Sequence, residues 1–378
     1  MLPYIFACIG LYTFDHVARL VKSRLTIAHI RPLPDLDLTR VEIPTINAGW
    51  RAGQHVRLRV ISATMGWFGW AEVHPFTIAS VAESAEGMVL MCKRTGGWTR
   101  KLYEIAKLGG YEEGGAGGRE VRVVVEGPYG SSSFFLFDYR SFYFFAGGPQ
   151  HTVFSSFSAA VFVAGGSGIT FALSAIQDLV QKDLRGTSRL KVIELIWIVP
   201  DPACLAPVLP TLSTLVLQSV FAPLRISVFY TRAPTGKQPA FFAAASASPF
   251  AASGLARSPS APSHAPPPRS AAAQLQPLSV PPLNLSSSSQ QPTYFPPGLT
   301  LAPGKPRLLK FLEHAINRAV TLGHSNPKDE VLSLTGLVVG VCGPVGMADD
   351  VAAAVRGVDP VRRDQVGGVE VHEEVFGW

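Results

Sequence analysis

The sequence predicts an α+β protein of two domains: a small antiparallel β-barrel followed by an α/β domain built on a doubly wound parallel sheet. Three observations predict it. Short stretches of period-two alternation, bounded by Gly and Ser, fill the chain from Thr26 to about Val125. From Ser158 onward, strand-like and helix-like stretches alternate, the rhythm of a parallel sheet with helices on its faces. Two of those later strands end in glycine turns, at the sheet edge where ligands of such folds collect. The length of 378 residues holds two domains of roughly 100–200 residues each, and 47% hydrophobic content fills their cores.

Taken in order, residues 1–25 are apolar as far as Phe14 and then basic at Arg19, Lys22 and Arg24. A signal peptide carries its positive charges before the apolar run, whereas here they follow it. The pattern suits the last part of a membrane helix emerging into the cytoplasm, where Lys and Arg accumulate; a buried or surface amphipathic helix is the alternative. Residues 26–130 form the barrel. "QHVRLRVI" alternates as a half-buried strand, "HPFTIAS" and "GMVLMCKR" are further short strands, and "WTRKLYEIAK" is a short helix.

Residues 148–378 form the α/β domain. "AAVFVAGG", "LKVIELIWIVP", "LRISVFYTR", "LTGLVVGVCGP" and "GVEVHEEVF" are its strands. "ITFALSAIQDLVQKDL", "PVLPTLSTLVLQSV", "KPRLLKFLEHAINRAV" and "GMADDVAAAVRG" are its helices. Residues 236–303, rich in Ala, Ser, Pro and Gln and poor in charge, cannot bury enough apolar surface to offset their ordering entropy, and we expect a disordered insertion there. A second segment, 131–147, carries the aromatic run "FFLFDYRSFYFF" with neither strand nor helix spacing. Its length and its Asp138 and Arg140 exclude a membrane span.

Composition excludes some functions. The net charge of +6 is mild and the basic residues are dispersed, so no nucleic-acid groove is expected. The four cysteines, Cys8, Cys92, Cys204 and Cys342, are far apart, with no disulfide framework and no metal spacing. Asn284-Leu285-Ser286 is a glycosylation sequon that would be silent on a cytosolic loop.

The chemistry points to nucleotides. "VAGGSGIT" ends a buried strand and opens a helix, where glycines let backbone amides approach a phosphate. A turn made of glycines for packing is the bland alternative. "VCGPVGM" is a second such turn at the same edge. "HPFT" and "GGWT" lie in the barrel half.

Read in order, HPFT, GGWT, GPYG, VAGGSGIT, YTR, VCGP and the terminal EVFGW resemble the ferric reductases of fungi and their relatives the NADPH oxidases, within the ferredoxin–NADP reductase-like superfamily. The resemblance implies an FAD-binding barrel followed by an NADPH-binding domain. It implies that His74, Pro75, Phe76 and Thr77 line the flavin, with Phe76 against its ring, Thr77 near its N5 and His74 near the pyrophosphate. The backbone around Gly97, Trp98 and Thr99 would assist. Gly165, Gly166, Gly168 and Thr170 would hold the phosphates of the pyridine nucleotide. Cys342 would sit by the nicotinamide, with Gly343 and Pro344 leaving room for it. Glu374 and Phe376 match the family's terminal Glu-x-aromatic, so Thr77, Cys342, Glu374 and Phe376 make up the catalytic set. Thr231 and Arg232 resemble the pair that recognises a 2′-phosphate, a role suited to a hydroxyl and a guanidinium.

The activity so implied is an NADPH-dependent ferric-chelate reductase, passing hydride from NADPH to FAD and single electrons onward. A superoxide-generating NADPH oxidase is the alternative. A non-catalytic truncated product is another. The family's haem-bearing membrane helices are not in the sequence, and His16 in "FDHVAR" stands where members commonly have Arg, so the chain looks like a fragment. Haem is expected only in that missing part, together with access to ferric chelates. The catalytic domains are expected on the cytosolic side of a membrane, the plasma membrane above others. Excising 131–147 reproduces the family's short Gly-Pro-x-His loop, and "FYFFAG" is what a pyrimidine-rich splice acceptor encodes. The segment therefore reads as a retained intron, with an aromatic lid loop as the alternative.

Overall fold

A computed structural model describes residues 2–66, 68–69, 71–109, 118–130, 154–232, 296–324 and 334–375. The segment 131–147, the sequon at Asn284 and Phe376 lie outside these residues.

The chain opens with helix α1 (Leu2–Val21), whose apolar side chains are exposed. By length and composition it is able to cross a membrane. It is longer than the apolar run up to Phe14 because an Asp15–Arg19 ion pair at 2.7 Å, one helical turn apart, carries the helix past its first charges. Strand β1 (Ser23–Leu33) follows after a single residue and so starts inside the stretch 1–25.

The first domain is a six-stranded antiparallel sheet. Its other strands are β2 (Leu38–Ile43), β3 (His55–Ile61), β4 (His74–Thr77), β5 (Met88–Lys93) and β6 (Arg119–Tyr129), in the order β4-β3-β6-β1-β2-β5. A bridge between Ile78 and Leu90 joins the two edges and curls the sheet into a barrel. Alternation along β3 sends Val56, Leu58 and Val60 inward, as its period-two pattern requires. Helix α2 (Gly97–Lys107) places Trp98, Leu102 and Ile105 in that core. The Gly-Pro-Tyr stretch closes β6, and Tyr129 Oη donates to Glu126 Oε1 at 2.7 Å.

The second domain is a parallel sheet in the order β10-β9-β8-β7-β11-β12. Its strands are β7 (Ala159–Gly165), β8 (Val192–Val199), β9 (Leu224–Tyr230), β10 (Leu299–Pro303), β11 (Leu337–Gly343) and β12 (Val369–Val375). The sequence direction reverses between β7 and β11, which makes that gap the topological switch point. The six residues Ala159–Ala164 of β7 are all buried, as expected of a central strand with both faces covered. Helices α5 (Leu308–His324) and α6 (Val345–Arg356) pack Leu312, Ile316 and Val351 on one face. Helices α3 (Ile169–Leu184) and α4 (Leu209–Gln218) pack against the sheet and each other. A short helix α7 (Pro360–Val366), capped by Asp359, precedes β12. The buried carboxylate of Glu194 is met by Arg318 Nη1 at 2.7 Å, which ties α5 to β8.

One boundary differs from the sequence reading. Residues 299–303, assigned above to the insertion 236–303, form β10, pairing in parallel with β9 from Leu299↔Ile226 to Pro303↔Tyr230. As an edge strand it tolerates the proline that ends it, and its low charge reads as linker composition. If β10 belongs to the sheet, Leu299→Ala, which removes a buried side chain, will cost about 2–3 kcal/mol. A denaturant melt measures it, and wild-type stability would return the segment to the insertion.

Candidate functional site

The two glycine turns meet at the switch point. β11 pairs with β7 from Leu337↔Ala159 to Cys342↔Ala164, so the turns after these strands stand side by side. Their glycines differ in purpose. A Cβ at Gly168 would overlap the carbonyl oxygen of Cys342, so only glycine lets α3 begin there. A Cβ at Gly165 or Gly343 would stand 2.6 or 2.8 Å from the Met347 side chain, which fills the slot between them. Gly166, at φ +52°, faces open space, as does Gly346 in the second turn, while the Gly166 carbonyl accepts from Trp197 Nε1 at 3.0 Å. Thr170 is buried and donates to the Ser167 carbonyl at 3.2 Å, fixing the turn from within. Packing against backbone thus accounts for Gly168, whereas at Gly165 and Gly343 the neighbour is the movable end of Met347. Gly166 and the first-turn amides of α3 remain as the surface open to an anion.

The barrel side is built around Trp98. The His74 ring lies 4.5 Å from the Trp98 ring, and Phe76 stacks on Trp98 at 6.0 Å. Pro75 on the same strand is exposed. Thr99 holds the start of α2, its hydroxyl accepting from the Gly96 and Thr95 amides at 3.0 and 3.1 Å. That leaves the amides of Gly97, Trp98 and Thr99 in the first turn of α2, without helical acceptors of their own. The Trp98 indole N–H is buried with no partner among the described residues. An orphaned buried donor beside a row of first-turn amides fits a bound group rich in acceptors, such as a dinucleotide.

The domains touch at several points. The Gly53 amide donates to Ser174 Oγ at 3.1 Å, and Gly53 needs to be glycine because its φ is +85° and the Phe171 ring lies 3.0 Å from where a Cβ would stand. Arg185 pairs with Glu83 at 3.5 Å across the boundary. Loop Trp50–Gln54, helix α3, His372 and Glu374 line a cleft of about 570 Å³.

Two ladder pairs flank this boundary, and the charge of Glu374 reaches His55 across it. Thr77 pairs with His55 on the β4–β3 ladder, and Cys342 pairs with Glu374 on the β11–β12 ladder. The Glu374 carboxylate acts on both partners. It draws the His55 pKa up against the burial that holds it below its ordinary value. It also adds to the burial that pushes the Cys342 thiol up to about 12. His372 Nε2 pairs with Glu374 at 3.4 Å, and its ring stacks on Phe171 at 5.8 Å. His55, His372, Met347 and Trp197 were not singled out in the sequence. Each sits inside an ordinary-looking strand or helix, and nothing in its spacing signals the neighbour it meets.

Thr231 and Arg232 leave the C-terminal end of β9, at the same sheet edge. Their amides donate to the Val199 and Pro200 carbonyls at 3.0 and 2.9 Å, the Thr231 hydroxyl donates back to the Val199 carbonyl at 3.5 Å, and both residues are exposed. β9 is two strand spacings from β7, roughly 10 Å, a separation that suits opposite ends of one extended nucleotide.

An antiparallel barrel with an acceptor-seeking tryptophan, joined to a parallel sheet whose glycine turns meet at its switch point, defines a two-domain flavin- and pyridine-nucleotide-binding oxidoreductase module. Residues 23–133 match an FAD-binding domain family, and residues 157–356 match the ferric reductase NAD binding domain family. The chain belongs to this ferric reductase family. It is 28% identical over 235 residues to "Probable ferric reduction oxidase 1" of Arabidopsis thaliana, covering 59% of this chain and 29% of that one. It is 31% identical over 150 residues to "Dual oxidase 2" of Rattus norvegicus, covering 39% and 8%. It is 29% identical over 204 residues to "Probable ferric reductase transmembrane component" of Candida albicans, covering 52% and 25%. The chain therefore spans less than a third of the length of each of these relatives. Among solved structures, the CS-b5R domains of human Ncb5or align with a TM-score of 0.45 and 13% identity, over 93% of this chain and 69% of that one.

A thiol raised to about 12 is neutral at any physiological pH, so Cys342 offers a soft contact and no nucleophile. A maleimide pulse on native protein at neutral pH is expected to spare the buried Cys92, Cys204 and Cys342 until the chain unfolds. Mass spectrometry of the peptides checks it, and fast native labelling of Cys342 would contradict this burial.

Proposed function

We propose that this chain is the flavin- and NADPH-binding part of a ferric-chelate reductase. The observation that carries the reading is the approach of Glu374, paired with Cys342 in the sheet, to His55, paired with Thr77 in the barrel. A nicotinamide and a flavin have to stack for hydride to pass, and the domain boundary is where groups from the two halves come within reach. When bound, FAD supplies the conversion between a two-electron donor and one-electron acceptors.

The chain's own residues bind, orient and screen. The first-turn amides of α2 and the Trp98 indole N–H donate to the flavin nucleotide, with His74 and Phe76 flanking it. Gly166 and the start of α3 take the pyridine-nucleotide phosphates. Arg232 and Thr231 meet the 2′-phosphate, where a guanidinium and a hydroxyl form charge-assisted hydrogen bonds. Cys342, neutral and buried, shapes the nicotinamide contact, with Gly343 and Pro344 beside it. Glu374, held by His372, supplies negative charge beside the reacting rings.

The ferric acceptor is supported by the names of two of the relatives above, and an oxidase, the alternative reading, by that of the third. Helix α1 supports a membrane-bound protein with these domains on the cytosolic side, because Arg19, Lys22 and Arg24 follow its apolar length.

His74→Ala and Thr77→Ala are expected to lower FAD occupancy or slow flavin reduction by NADPH. Absorbance of purified protein and stopped-flow reduction check both. Full occupancy with unchanged rates in both variants removes the HPFT assignment, and a colourless wild-type chain that also refuses added FAD supports a non-catalytic product.

Arg232→Ala is expected to lose about 1.5–3 kcal/mol of NADPH binding, or about ten- to a hundredfold in affinity, with little change for NADH. Paired titrations with the two nucleotides measure it. Equal losses would assign Arg232 to folding.

A further inference from the structure

One outer face of the barrel is basic, apolar and uncovered, and it begins where α1 ends. Residues directly opposite across antiparallel strands point to the same side, so the ladders define this face row by row. The first row is Ser23, Glu126 and Arg57, the second Leu25, Val124 and Arg59, the third Ile27, Arg122 and Ile61. Leu25, Ile27 and Ile61 are 68%, 48% and 44% exposed. The acidic group in the first row is spent: Glu126 is buried, accepts from Tyr129 Oη, and lies 3.6 Å from Arg57 and 3.7 Å from Arg59. Arg122 is exposed and pairs with no acidic group among the described residues. The next row, His29 and Glu120, ends the basic run.

The face is joined closely to α1. Only Lys22 separates helix from β1, and Ser23 Oγ donates to the Arg19 carbonyl at 2.9 Å. An exposed apolar helix able to cross a membrane therefore runs almost directly into a sheet face of arginines and aliphatic side chains.

We propose that this face lies down on the anionic lipid surface of the membrane that α1 enters, with the arginines at the headgroups and Leu25, Ile27 and Ile61 at the interface. The proposal rests on the membrane reading of α1 and is independent of the redox reading. Charge and apolarity fit that partner together: anionic headgroups attract juxtamembrane Lys and Arg, and exposed aliphatic groups gain at the acyl boundary. Geometry singles out Arg122. Strands rise about 3.4 Å per residue, so the third row is about 14 Å beyond Ser23. That exceeds the screening length of about 8 Å at physiological salt. If the strands stood upright on the membrane, Arg122 would feel little of its potential. If the face lies flat, Arg122 is at the surface with Arg57 and Arg59.

The test is flotation of the full chain with vesicles of phosphatidylcholine alone and of equimolar phosphatidylcholine and phosphatidylserine. Binding to the neutral vesicles reports α1, and the ratio of the two affinities reports the face. Arg122→Glu is expected to lower that ratio by about five- to twenty-fivefold, one to two charge equivalents at the surface, with Arg122→Gln between. Arg356→Glu, an exposed arginine on α6 in the other domain, leaves it unchanged. A thermal melt confirms that each variant is folded. An unchanged ratio in folded Arg122→Glu overturns the proposal, and so does an equal fall in Arg356→Glu, which would reflect net charge only. A dimer in detergent that Arg122→Glu abolishes would assign the face to a second copy and likewise overturn it. Failure to float with neutral vesicles would remove the membrane reading of α1 and this proposal together, leaving the nucleotide titrations untouched.

Discussion

The close approach of Gly168 to the Cys342 carbonyl is the constraint on which the candidate site depends. It brings the first turn of α3 onto the end of β11 with no side chain between them. Met347, at the start of α6, then fits the slot left by Gly165 and Gly343. Three glycines and one flexible thioether therefore close the gap where the sheet reverses direction. Any larger residue at Gly168 would push α3 off β11 and open that gap. Gly166 faces open space beside these tightly packed neighbours.

The barrel meets that edge through small, directional contacts. Gly53 to Ser174 holds the loop before β3 against α3, and Arg185 to Glu83 ties the loop after β4 to the end of α3. The ladders then do the positioning. Thr77 is placed by its pairing with His55, and Cys342 by its pairing with Glu374. Backbone registers of this kind are set by every residue along a strand, so the site inherits the rigidity of two sheets. Glu374 is the group whose charge is felt on both sides of the boundary.

Two buried carboxylates show how the same chemistry serves structure. Glu194 is met by Arg318 and ties α5 to the parallel sheet. Glu126 is met by Tyr129, Arg57 and Arg59 where the barrel begins, beside α1. Neither belongs to the nucleotide surface. Each is a buried charge made tolerable by partners, and removal of those partners would leave it uncompensated.

Local signals in the sequence determined a great deal. Period-two alternation in "QHVRLRVI" specified a strand with one buried face, and β3 is that strand. The strand–glycine turn–helix order of "VAGGSGIT" specified β7 and α3 at nearly the observed boundaries, because both are set by neighbours in the chain. The family was legible in seven short motifs taken in order. Other features were decided only by tertiary structure. β10 is a strand because β9 offers it an edge, and nothing in 299–303 announces that edge. That Gly168 lies against the Cys342 carbonyl and Gly165 against Met347, while Gly166 and Gly346 stay open, depends on how α3 and β7 meet the end of β11. His55 and Glu374, 319 positions apart in the sequence, act on one another only because two sheets place them there. Periodicity is written along the chain, but contact across a domain boundary is a property of how the two sheets pack.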